Sequence, residues 1–145
     1  MDKPTFESPS VHSYLSILQS VIARMAANSA SCKTWCITIV SAILVVVADK
    51  ANPSYVWIAI IPTVLFFGLD SYYLALERLF RDQYNGFIRK LHLNSASIDD
   101  VFIVDPGVGP LKVFGAVLCA AASVSVLPFY LVLIGMIEFA RRLIL

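Results

Sequence analysis

Charge is what this chain has least of. Asp, Glu, Lys and Arg make up 14% of its 145 residues, where a soluble domain carries about 25%. Over positions 113–137 there is no charged residue and no histidine. A helix of that length, at about 1.5 Å of rise per residue, crosses the roughly 30 Å hydrocarbon core of a bilayer. Two further apolar stretches, 34–48 and 51–69, leave little sequence for a water-soluble domain.

The other scarcities exclude function classes. Net charge is +1, and no Lys/Arg block of the kind that neutralises phosphates occurs, so nucleic acid is not an expected partner. Three cysteines are too few for a disulfide scaffold. Cys32 and Cys36 share a helix face, but no histidine or acid recurs beside them to complete a metal site. His12 and His92 meet no carboxylate or thiol pattern, and Asp99, Asp100 and Asp105 read as solvated turn acids rather than a cation loop. No Gly-rich phosphate loop or Ser/His/Asp arrangement is present. The expectation is a protein without catalysis, cofactor or metal. The polar, Pro-broken start (1–9) reads as disordered, lacking the basic and apolar regions of a secretory signal, and no lipidation box is present.

What is abundant is apolar surface, 59% of residues. From Ser10, a suitable cap, no Gly or Pro intervenes before Pro53. Val11, Tyr14, Leu15, Leu18, Val21, Ile22 and Met25 recur at helical spacing, with His12, Ser13, Ser16, Gln19, Ser20 and Arg24 opposite. Beyond Lys33 the pattern is apolar all round. Continuity into one long helix is expected over a break near 28–31 that would leave the first part on the membrane surface. Asp49-Lys50-Ala51-Asn52-Pro53 is a tight turn, and Tyr55 and Trp57 suit the headgroup level. The next helix carries Pro62, an expected kink, and turns amphipathic beyond Asp70.

The expected fold is therefore all-α and membrane-integral. It has a helical hairpin over 10–92, with its membrane part at about 34–70 and cytoplasmic stalks at 10–33 and 71–92. An antiparallel hairpin turning near Ala51 sets Lys33 against Asp70 and Arg24 against Glu77. Pairing at the membrane boundary spares either charge from isolation in low dielectric, although Lys33 alone can also snorkel to the interface. A connector at 93–110 contains a short β-prone run, 101–104, before a turn cluster. A third membrane helix, 111–145, is rich in small residues that permit close helix approach, and Pro128 predicts a kink in it. Lys/Arg distribution places the N-terminus in the cytoplasm, with Arg141 and Arg142 dissenting.

The segments Ser31-Cys32-Lys33-Thr34-Trp35 and Leu69-Asp70-Ser71-Tyr72-Tyr73-Leu74-Ala75-Leu76-Glu77-Arg78 carry a likeness. In arrangement the chain resembles the SLATT-type small membrane effectors of bacterial defence systems, over roughly residues 10–92. The third hydrophobic segment departs from that two-helix pattern. The resemblance implies an oligomeric effector of the bacterial inner membrane, acting in anti-phage defence and triggered by a cytoplasmic sensor protein or a nucleotide signal. Lys33, Asp70, Arg24, Glu77, Pro62 and Pro128 are the candidate structural or gating residues. The alternative is a membrane anchor that recruits a soluble cytoplasmic partner through the stalks. A transporter ranks last, because Thr63, Ser123 and Ser125 are the polar residues near the midplane.

Overall fold

The computed structural model describes residues 4–5, 7–50 and 53–144. Residues 1–3 and 6 of the expected disordered start, and 51–52 of the expected turn, lie outside the described residues. Helix takes up 83% of the chain and no strand occurs among the described residues, so the fold is all-α.

Helix α1 (Pro9–Lys50) is unbroken over 42 residues, about 63 Å at the usual rise. It begins at Pro9 rather than after Ser10, because proline's fixed φ suits a first helical position and its missing N–H costs nothing there. A 3-10 helix, Pro53–Ala59, leads into α2 (Ile60–His92). Pro62 falls in the first turn of α2, directly after the 3-10 helix.

The two long helices form an antiparallel coiled coil. Along α2, Thr63, Phe66, Asp70, Tyr73, Glu77, Phe80, Tyr84, Phe87 and Leu91 recur at alternating spacings of three and four, and all are buried or half-buried. The facing seam of α1 runs Val11, Tyr14, Leu18, Val21, Met25, Asn28 and Cys32, then continues through Cys36, Val40, Ile43 and Val47. Three cross-helix contacts fix the register. The Tyr14 and Phe87 rings meet edge to face at 4.8 Å, the Gln19 amide donates to the Tyr84 hydroxyl at 3.2 Å, and Lys33 reaches Asp70.

Beyond His92 the chain doubles back along the hairpin. A 3-10 turn at Ile98–Asp100 is closed by a capping box between Ser97 and Asp100. The run 101–104 forms turn and coil rather than a strand within the chain. Its backbone is held by side chains of the hairpin instead of a strand partner. Helix α3 (Pro110–Ala121) packs on α2, and α4 (Leu127–Ile144) packs on α1, α2 and the 3-10 helix at the hairpin tip.

The expected single third helix is thus two helices, broken at 122–126. The physical reason lies at Pro128, whose ring clashes with the carbonyl four residues earlier in a helix interior but fits an opening turn without loss. The chain accordingly starts a new helix at Leu127 instead of kinking an old one.

Two apolar cores result. One, towards the tip, joins Cys36, Val40, Val47, Val56 and Ala59 to Val126 of the break and to Tyr130, Leu133 and Ile137 of α4. The other, at the far end, joins Val11, Tyr14 and Leu18 to Phe87, Leu91 and Ala96.

Candidate functional site

Between those cores sits a polar node built from two helices. Ser29 and Lys33 are one turn apart on α1 and so share a face. Each takes one oxygen of the same carboxylate. The Ser29 hydroxyl donates to Asp70 Oδ1 at 2.5 Å, and Lys33 Nζ lies 2.6 Å from Oδ2. Asp70 has no exposed surface, whereas Lys33 keeps 21% of its side chain exposed. A carboxylate so enclosed is tolerated only because both oxygens meet donors or charge.

The third element closes over this pair. Tyr130 of α4 stacks edge to face on Phe67 at 5.3 Å. Its hydroxyl is buried near the Asp70 carboxylate and makes no hydrogen bond among the described residues. Cys32 and Cys36 flank the node as buried free thiols. The neighbouring hydroxyls are satisfied locally: Thr63 donates to the Ala59 carbonyl at 2.8 Å and Ser71 to the Phe67 carbonyl at 2.7 Å. No group of three or more His, Cys, Asp and Glu side chains converges on a metal-sized space among the described residues.

Lys33 and Asp70 therefore meet, but Arg24 and Glu77 do not. Glu77, buried on the seam, bonds instead to Arg81 one turn along its own helix. That partner is placed by the same helix, so less side-chain freedom is lost in bringing the two together. Arg24 is exposed and makes no side-chain hydrogen bond or ion pair among the described residues. Pro62 and Pro128 each lie in a first helical turn, away from the ion pair.

The pairing also lengthens the uncharged surface. With Lys33 turned inward and Asp70 enclosed, the outer surface of α1 carries no exposed formal charge from Met25 to Ala48. The same holds for the second strand of the hairpin from Tyr55 to Leu76. Each stretch is about 35 Å long, close to the roughly 30 Å of a bilayer core. The node consequently lies inside this uncharged band. Arg24 and Arg78 stand at one end of the band. Tyr55 and Trp57 mark the other, with the Arg141 guanidinium 5.8 Å from the Trp57 ring centre.

A second polar cluster clasps the connector to the far end of the hairpin. The Ile103 carbonyl accepts from the Tyr14 hydroxyl at 2.7 Å and from Gln83 Nε2 at 2.5 Å. Gln83 Nε2 also reaches the Tyr14 oxygen at 3.2 Å. Lys90 pairs with Asp100 at 2.7 Å. Burial pushes the Tyr14 phenol above its ordinary range, while the hydrogen bonds from Lys90 and the Ser97 N–H hold the Asp100 carboxyl below its own.

Sequence reasoning missed Ser29, Tyr14, Gln83 and Tyr130 as members of these clusters. Ser29 carried a usable signal, since it precedes Lys33 by one turn on the seam side of α1. The connector contacts carried none, because nothing local specifies where a loop folds back. Comparisons with family models, curated proteins and solved structures returned no match to this chain.

Proposed function

We propose that this protein is a small oligomeric effector of the bacterial inner membrane, which permeabilises or depolarises that membrane when a cytoplasmic signal reaches its polar half. The anti-phage role follows from the resemblance to SLATT-type effectors; the physical support is independent of it. Two helices are long and apolar enough to span a bilayer, yet only 22% and 28% of their most apolar stretches are buried within the chain. A soluble core helix would be mostly covered. Lipid, or further copies, must cover the rest.

The outer face of α1 carries the reading. Ala27, Ala30, Ser31, Thr34, Thr38, Ser41 and Ala42 form one exposed stripe opposite the seam with α2. They are small, and four of them bear hydroxyls. Thr34 and Thr38 satisfy their own hydroxyls on the carbonyls of Ala30 and Thr34 at 3.3 and 2.9 Å. Elsewhere the band presents bulky groups such as Ile61, Leu65, Leu131 and Phe139. Small residues let helices approach closely where lipid removes any hydrophobic drive to associate. A ring of copies turning this stripe inward would enclose a hydroxyl-lined path that three helices alone cannot form.

The N-terminus and the polar half are assigned to the cytoplasm. The assignment follows the Lys/Arg majority, from which Arg141 and Arg142, both paired with Glu138 at 2.7 and 3.2 Å, depart. The short helix α3 and the longer α4 together make the third crossing.

Dye leakage from liposomes, with membrane potential followed in cells, tests the reading. Thr38→Cys is expected to cross-link neighbouring copies in membranes, whereas Ile61→Cys is not. Intact potential after verified activation defeats it. The second reading, an anchor for a soluble partner, rests on the charged surface of the polar half. It is favoured by stoichiometric capture of one cytoplasmic protein together with impermeable liposomes.

A further inference from the structure

The uncharged band ends differently on its two sides. On the tip side, Glu138 compensates Arg141 and Arg142. On the side of the polar half, Arg24 of α1 and Arg78 of α2 stand at the same level of the hairpin register, just past the last apolar turn. Lys112 stands in the first turn of α3, the end of that helix nearer the polar half. All three side chains are exposed, and none makes a hydrogen bond or ion pair among the described residues. Glu77 is taken by Arg81, which leaves Asp82 and Asp105 as the exposed carboxylates near this level without a cationic partner, two against three cations.

We propose that Arg24, Arg78 and Lys112 form a collar that binds the phosphate head groups of anionic phospholipids on the cytoplasmic leaflet. The inference rests on the membrane reading above and adds the lipid class. Three observations select lipid as the occupant. The cations come from three different helices, α1, α2 and α3. They adjoin directly the surface that acyl chains would cover, with the half-exposed Tyr72 just inside them. They are uncompensated, so a head group with net negative charge is attracted to them where a zwitterionic one is not.

Spin-labelled lipids report this selectivity on the full-length protein in phosphatidylcholine bilayers. The probes are spin-labelled phosphatidylglycerol and spin-labelled phosphatidylcholine, compared by the fraction held motionally restricted at the protein surface. The wild type is expected to favour phosphatidylglycerol, and added salt to weaken that preference. Each of R24Q, R78Q and K112Q is expected to lower it by roughly fivefold or less, and the triple variant to abolish it. R24K/R78K, which keeps the charge, and R141Q/R142Q at the opposite edge are expected to retain it. Helix content by circular dichroism on the same samples shows that each variant is folded. A wild type that restricts both lipids equally overturns the collar, as does a triple variant with undiminished preference or an equal loss in R141Q/R142Q. Absence of any restricted lipid overturns the membrane reading instead, so the two failures are told apart.

Discussion

Removing one half of the Lys33–Asp70 pair should harm the protein more than removing both. Asp70→Ala leaves the Lys33 ammonium inside the uncharged band, with 21% of its side chain exposed and no counter-charge. It also strips the Ser29 hydroxyl of its acceptor. Breaking a buried ion pair in this way costs about 3–5 kcal/mol. Lys33→Met strands a carboxylate with no exposed surface, still accepting from Ser29, and should cost a similar amount. The double variant K33M/D70L places apolar groups of similar volume across the same gap, a change that is often neutral or even stabilising by about 1–4 kcal/mol. The expected cycle is therefore strongly non-additive, with the double variant more stable than either single one. Reversible unfolding in mixed micelles on raising the fraction of denaturing detergent, followed by far-ultraviolet circular dichroism, gives the three differences. Single variants within about 1 kcal/mol of wild type, adding simply in the double, would place the pair in a solvated setting. That outcome refutes both the enclosure of Asp70 and the length assigned to the uncharged band.

Other consequences are smaller but as direct. Ser29→Ala removes the donor to Asp70 Oδ1 and should destabilise by about 1.5–3 kcal/mol, as for a hydrogen bond to a charged group, in the same assay. Tyr14→Phe keeps the ring contact with Phe87 but loses the bond to the Ile103 carbonyl; about 1 kcal/mol is expected, seen as faster amide exchange across 98–104. The Lys90–Asp100 clasp should be pH-sensitive. Asp100 is held below its ordinary 3.8 in the folded protein, so its contribution is complete above that value and disappears as pH falls through the lower, folded one. Exchange at 97–104 should accelerate on acidification in that window, and Lys90→Met should flatten the response.

Much of this architecture was legible from periodicity alone. The alternating three- and four-residue recurrence of apolar positions specifies a helix with one buried stripe, and Asp49–Pro53 marks where it must reverse. Those two facts place Lys33 opposite Asp70, because a hairpin has little freedom once its turn is fixed. Ser29 was within reach of the same logic. Tyr14, Gln83 and Ile103 were not, since a connector's return path depends on contacts far apart in sequence. The third segment misled for a related reason. Hydropathy records that 113–137 is uncharged, but it does not register that Pro128 favours the opening turn of a new helix over the interior of an old one.

By itself, then, the sequence determined the helices, the reversal, the register and the sparse charge, because each follows from the order of neighbouring side chains and backbone sterics. Only the tertiary structure decided how those charges are used. It turned Lys33 inward and so extended the uncharged band, gave Glu77 to Arg81 instead of Arg24, and set Tyr130 over the node. Such choices depend on competition among groups brought together in space, where distance and burial fix the energies, and a one-dimensional pattern holds neither.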